Sequence, residues 1–265
     1  PLPNLAREPQ GSRALLFSSR GSAATFAAPT DSSRPSLPFA FAQFARRRHF
    51  ALVAPTPSST LPPMFVGALA GSIRLLCGVR LLPPHRFPAR QAIYFANHSS
   101  HLDFAVVWSA LPAAQRRRAR PVAGRDYWEK TRLRRWLARD IFNAVLIERQ
   151  KVTASANPLA AMLAALDAGD SLIVFPEGTR SPDGTIHDFK PGLYHLARAR
   201  PEIPLVPILL ENLNRILPKS DLLPVPIIGS LTLGAPVFLQ PDETKTDFLA
   251  RARESVLGLR IALPS

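Results

Sequence analysis

Cysteine is almost missing from this chain, with Cys77 alone among 265 residues. An intrachain disulfide is therefore excluded, and a lone thiol is expected to act as a small buried hydrophobe. The chain suits a reducing compartment. There is no glycine-rich phosphate loop, so dinucleotide and nucleotide roles lack support. No spacing of His, Cys and Asp matches a metal site, and no serine sits in a nucleophile-elbow pattern, which disfavours a covalent intermediate on serine. Acidic residues are few: 19 Asp and Glu against 33 Lys and Arg leave a formal charge of +14. So basic a chain seeks polyanions, whether nucleic acid, anionic lipid or a phosphorylated substrate. Helix-turn-helix, zinc-finger and RNA-binding signatures are all absent, so nucleic acid is not expected as a partner.

Hydrophobic residues make up 46% of the sequence, enough for one domain with a real core. Residues 1–63 stand apart, with seven Arg, only Glu8 and Asp31 to oppose them, much Ser and Pro and no sustained period. Such composition matches an organelle transit peptide. The reading preferred here is a disordered or non-native extension, because the first methionine is Met64 and the segment cannot bury enough apolar surface to offset its ordering entropy. From Met64 to Leu82 the chain is apolar but carries Arg74 and Arg80, and Pro83-Pro84 ends it. A spanning helix needs ~20 apolar residues with few charges, so residues 64–84 are expected to form a membrane-interfacial helix with its arginines at the headgroups. The alternative is an ordinary helix packed on the domain.

Beyond this point strand-like and helix-like segments alternate. Strands are expected at Ala92–Ala96, Pro121–Ala123, Ala144–Glu148, Ser171–Phe175, Leu205–Leu210, Ile227–Leu233 and Pro236–Leu239. Helices are expected at Leu102–Leu111, Tyr127–Arg139, Pro158–Ala168, Pro191–Ala199 and Thr244–Ile261. This alternation predicts a single α/β domain over 85–265, with a central, mainly parallel or mixed sheet flanked by helices.

Two of the strands run into polar clusters, the usual place for chemistry in α/β proteins. The first is Asn97-His98-Ser99-Ser100-His101-Leu102-Asp103. The second, 79 residues on from His98, is Phe175-Pro176-Glu177-Gly178-Thr179-Arg180-Ser181. The first offers a base with a nearby carboxylate. Histidine suits proton transfer near neutral pH, and Asp103 can hold one ring nitrogen so that the other faces a substrate hydroxyl. Capping the following helix is the bland role for Asp103. His101 is expected to be a loop or substrate-contact residue. The second cluster offers an anion site: Arg180 carries a planar fork of donors, and Gly178 permits close backbone approach.

Taken together, the His98/Asp103 pair and the Phe-Pro-Glu-Gly-Thr-Arg-Ser block resemble the glycerolipid acyltransferase family, the 1-acylglycerol-3-phosphate acyltransferases in particular. The resemblance runs from about Met64 to the C-terminus. It implies that His98 and Asp103 are catalytic and that Glu177, Gly178, Thr179 and Arg180 bind the acceptor. Val145-Leu146-Ile147-Glu148-Arg149 is similar to a family strand whose Arg binds phosphate, here Arg149. Lys190, in Phe189-Lys190-Pro191-Gly192, adds to the phosphate field, and Arg125 lies where a basic residue often approaches the site. Leu205-Val206-Pro207-Ile208 resembles a strand linked to acyl-donor handling. No metal or cofactor is implied, because the acyl thioester, from acyl-CoA or acyl carrier protein, is a co-substrate.

The implied reaction moves a fatty acyl group to the free hydroxyl of 1-acylglycerol 3-phosphate, giving phosphatidate. The alternatives are the same transfer to glycerol 3-phosphate, a lysophospholipid or a lyso-aminolipid, or a non-catalytic cationic protein that binds lipid surfaces. The arginine-rich stretch 116–139, interleaved with Trp128 and Trp136, suits an anionic membrane surface. The expected location is membrane-associated, on the cytoplasmic face of the inner membrane if the source is bacterial.

Overall fold

Side chains alternate across a strand, and the segment Ile93–Ala96 is buried on both sides. It is the centre of a three-layer structure. The computed structural model describes residues 62–78, 80–82, 87–148, 157–181, 183–213 and 229–260. In chain order these form α1 (Pro63–Leu76), β1 (Arg80–Leu82), β2 (Ile93–Ala96), α2 (Asp103–Ala110), α3 (Ala113–Arg116), β3 (Ala119–Gly124), α4 (Arg125–Trp128) and α5 (Arg132–Trp136). A π-helical turn (Leu137–Ile141) comes next. There follow β4 (Val145–Ile147), α6 (Pro158–Asp167), β5 (Ser171–Val174), α7 (Gly192–Ala199), β6 (Leu205–Glu211), β7 (Ser230–Leu233) and α8 (Lys245–Leu257). The expectation for residues 1–61 falls outside the described residues.

The seven strands form one sheet in the order β1-β7-β6-β2-β5-β3-β4. Only the β6–β7 pair is antiparallel. This is the α/β domain with a mainly parallel, mixed sheet that the alternation predicts. Tyr94 and Ala96 of β2, with Val206 and Ile208 of β6, face α1 and α2. Ile93 and Phe95, with Leu205 and Leu209, face α6, α7 and α8. Burying both faces explains why these strands read as continuous apolar runs. Cys77 lies in the core, where burial pushes its thiol pKa up.

Three expectations change. The apolar run 64–84 is not one helix: α1 stops at Leu76, Gly78 takes φ 54°, and Arg80–Leu82 pairs with β7 as a sheet strand. A left-handed glycine ends the helix because it carries no Cβ penalty. Arg74, exposed beside Leu75 and Leu76, also has protein partners. Its guanidinium donates to the carbonyls of Ser109 (2.6 Å) and Leu111 (3.4 Å) at the end of α2, where a cation complements the helix dipole. The helix expected over Tyr127–Arg139 is split, because Thr131 adopts an extended backbone and its hydroxyl accepts from Arg134 N–H, restarting the chain as α5. Of Pro236–Leu239, only Val237 pairs, in a single bridge with Leu205. Pro236 has no N–H for a ladder.

Val66 and Ala70 of α1 are buried, while Met64, Phe65, Leu75 and Leu76 are exposed. The helix therefore packs on the domain and also presents an apolar outer side. Among the described residues no helix is long and apolar enough to cross a membrane. Arg74→Gln should loosen α1 at a cost of about 1.5–3 kcal/mol, the usual worth of hydrogen bonds to a charged group; chemical denaturation checks this, and an unchanged midpoint would remove Arg74 from the α1–α2 joint.

Candidate active site

The loop after β2 and the loop after β5 leave the same end of two adjacent parallel strands, so the two sequence clusters meet. Residue 98 is gripped at both backbone groups. Its N–H donates to Glu177 Oε1 (2.7 Å), and its carbonyl accepts from Ser181 N–H (2.8 Å). Asn97 adds a third tie: its side-chain amide donates to the Leu210 carbonyl (2.9 Å) and accepts from Leu210 N–H (2.8 Å). The side chain thus continues the β2–β6 ladder one step past the strand end.

The His98 ring sits 2.8 Å through Nδ1 from Asp103 Oδ2. Asp103 is fully buried. The same Oδ2 accepts from the backbone N–H groups of Ser99 (2.6 Å) and Ser100 (2.8 Å). A carboxylate oxygen in that role is an acceptor, so Nδ1 carries the proton and Nε2 is the basic nitrogen. Asp103 does not cap its own helix with its side chain; its donors are the loop amides before it. Phe175 stacks on the His98 ring at 4.4 Å between centroids. Ring position, tautomer and tilt are therefore each set by a separate contact.

His98 lines a cavity of about 410 Å³. Gly178, Arg180 and Lys190 share its lining and bring two cations to the region of the imidazole. Phe104, Phe142, Met162, Leu193 and Leu196 line its apolar part. Gly178 has φ +71°, and a Cβ there would lie 2.7 Å from Lys190 Nζ. Only glycine lets the lysine cross at this point, and the Lys190 backbone N–H is held by the Pro176 carbonyl (2.8 Å).

The other named residues fall elsewhere. Glu177 is buried and is not part of the cavity lining; its second oxygen accepts from His187 N–H (3.0 Å). Burial raises its pKa above the usual carboxylate value, against the pull of the two backbone donors from His187 and His98. It is thus a brace for the His98 loop. Thr179 is exposed and off the lining. Arg125 is exposed, 3.6 Å from Glu129, and also off the lining. Arg149 lies outside the described residues. Among the described residues no cluster of three His, Cys, Asp or Glu is placed to hold a metal ion.

Sequence reasoning gave no role to Asn97 or Tyr127. A polar residue closing a buried strand was the available signal for Asn97. For Tyr127 there was none: it stacks on His101 (4.9 Å) and carries Arg134 4.2 Å from its ring centroid, a contact between helices split by Thr131. Burial, then the nearby Arg180, His98 and Arg134, push the His101 pKa down to about 4. His101 is therefore neutral near pH 7.

A family model described as Acyltransferase matches residues 79–211, half of the chain. The chain belongs to the Acyltransferase family. It is 33% identical over 155 residues to 1-acyl-sn-glycerol-3-phosphate acyltransferase alpha of Homo sapiens, a match covering 56% of this chain and 52% of the relative. It is 32% identical over 148 residues to 1-acyl-sn-glycerol-3-phosphate acyltransferase of Limnanthes alba, covering 52% and 48%. The chain spans about half the length of the curated relatives it matches. In fold, the chain resembles the crystal structure of the 1-acyl-sn-glycerophosphate (LPA) acyltransferase PlsC from Thermotoga maritima, with a TM-score of 0.59 at 23% identity over 77% of this chain and 81% of that one.

Three outcomes are expected. Asn97→Ala should cost about 1–3 kcal/mol, because it strands the buried N–H and C=O of Leu210; denaturant titration reads it. Gly178→Ala should strain the left-handed backbone by roughly 1–2 kcal/mol and displace Lys190, visible in a crystal structure of the variant. For His101 the unfolded side chain titrates at ~6.5 and the folded one at about 4. The unfolded state binds more protons between those values, so its contribution is fully present above ~6.5 and is lost as pH falls toward 4. His101→Gln should flatten the acid limb of the melting-temperature profile in that window, and an unchanged limb would count against the low pKa.

Proposed function

We propose that this protein is an O-acyltransferase that moves a fatty acyl group from an acyl thioester to the free hydroxyl of 1-acylglycerol 3-phosphate, giving phosphatidate. One observation carries the reading: an imidazole whose Nδ1 is held by a buried carboxylate shares one cavity with two cations and a long apolar wall. The curated relatives bear the name of this activity. The donor is acyl-CoA or acyl carrier protein.

In this mechanism His98 Nε2 takes the acceptor's hydroxyl proton as the oxygen attacks the thioester carbonyl. The tetrahedral intermediate collapses, the C–S bond breaks, and the thiolate leaves with the proton from the imidazolium. Asp103 fixes the tautomer and stabilises the imidazolium. Arg180 and Lys190 hold the acceptor's phosphate, Arg180 through its planar fork and Lys190 as a point charge. The apolar wall from Phe104 to Leu196 takes an acyl chain, where burial contributes about 0.8 kcal/mol per methylene. The enzyme works at an anionic membrane surface, on the cytoplasmic face of the inner membrane in a bacterium, with the outer side of α1 against the lipid. No step calls for a metal or cofactor, and nucleic acid is not a partner in this reading.

The test is a panel of acceptors offered with a labelled acyl thioester, followed by lipid mass analysis. 1-Acylglycerol 3-phosphate should be acylated, with glycerol 3-phosphate, phosphate-free lysolipids and lyso-aminolipids poor by comparison. Turnover confined to phosphate-free acceptors would overturn the roles of Arg180 and Lys190. His98→Ala should lower kcat by about 10²–10⁴-fold while the fold is kept. A non-catalytic lipid binder would show no turnover to lose. Arg180→Ala should raise KM for the phosphate acceptor about tenfold or more, the effect of ~1.4 kcal/mol.

A further inference from the structure

Helix α5 reads Arg132-Leu133-Arg134-Arg135-Trp136. Leu133 is 64% exposed and Trp136 46%. They are three residues apart, so they share one side of the helix. Six cationic side chains stand against three acidic ones between residues 125 and 140. Glu129 takes up part of the positive charge: Arg139 pairs with it at 2.6 Å, and Arg135 donates to its backbone carbonyl. Arg132 and Arg135 are exposed. The helix is tied to the active site through Arg134, which lies over Tyr127, and Tyr127 stacks on His101. Tyr127 and His101 line the same cavity as His98.

An exposed Trp and Leu ringed by arginines is the composition of a segment lying in a lipid interface. The apolar groups enter the acyl boundary, the indole sits at headgroup depth, and the guanidiniums meet phosphates. An acidic protein would need the arginines but would give Leu133 and Trp136 no comparable reward.

We propose that α5 is a lipid-inserting wedge beside the active-site cavity, with Leu133 and Trp136 entering an anionic bilayer and Arg132 and Arg135 contacting its phosphates. This rests on the reading that the acceptor is a membrane lipid. It adds a contact separate from α1, and it sets Tyr127, on the cavity wall, next to the leaflet that supplies the acceptor.

Binding and turnover are measured separately. The full chain is sedimented with phosphatidylcholine vesicles, with and without phosphatidylglycerol. The expected result is tight binding only with phosphatidylglycerol, weakened at least about tenfold by Leu133→Ala/Trp136→Ala, the effect of ~1.4 kcal/mol, and weakened similarly by Arg132→Gln/Arg135→Gln. Brominated acyl chains should quench a part of the wild-type tryptophan fluorescence that is lost in Trp136→Phe, which keeps the apolar contact and should still bind. Transfer to a short-chain, water-soluble acceptor should be unchanged in Leu133→Ala/Trp136→Ala. If wild-type protein fails to acylate that acceptor, the acyl-transfer reading is at fault, and the vesicle result still stands or falls by itself. Wild-type vesicle affinity in Leu133→Ala/Trp136→Ala overturns the wedge. So does a Trp136 that brominated lipid does not quench, or a loss confined to turnover with acyl carrier protein, which would make α5 a protein-docking helix.

Discussion

The backbone of residue 98 is held from both sides, and the candidate site depends on that grip. One hydrogen bond comes from each end of the second loop: the Glu177 carboxylate takes the N–H, and the Ser181 N–H reaches the carbonyl. Removing either would free the loop that aims the imidazole. The arrangement costs desolvation, because a carboxylate is placed out of water. Two backbone donors offset that cost, and the raised pKa of Glu177 records that burial still dominates.

The same economy of contacts runs through the rest of the site. Asp103 has one oxygen that serves the imidazole and two loop amides at once. This makes the turn and the tautomer a single structural fact. The ring so oriented lines the cavity. Its neighbour His101 occupies the same lining but is kept neutral by burial and by the cations around it. Two histidines three residues apart thus have different environments.

Position in the sheet supplies the remaining order. β2, β5, β3 and β4 are parallel neighbours, so their following segments leave at one edge. That edge gathers His98, Phe175, Tyr127 and Ile147 around one cavity. α1 and α5 each show apolar side chains to the outside, at Met64, Phe65, Leu75 and Leu76 and at Leu133 and Trp136. The edge that carries the cavity is thus flanked by exposed apolar and cationic residues.

Much of this was legible in local sequence. Apolar periodicity, the prolines and the glycine after α6 place most elements to within a few residues, because those signals act over one or two turns. The His98/Asp103 pair was legible because five residues of chain suffice to bring the two side chains together. Glu177 was legible as a site residue but not as a brace. Arg74 was legible as a charge in an apolar run but not as a cap for α2. The break at Thr131 was masked by helix formers on either side, Glu129 and Lys130 before it and Arg132 after. What the sequence by itself determined was the inventory: an α/β chain, a histidine with a carboxylate five residues on, and a cluster holding Glu177 and Arg180. What only the tertiary structure decided was which groups meet, since Glu177 reaches His98 across 79 residues and Asn97 reaches Leu210 across 113. Contacts that distant are set by strand order and burial, and no local pattern encodes either.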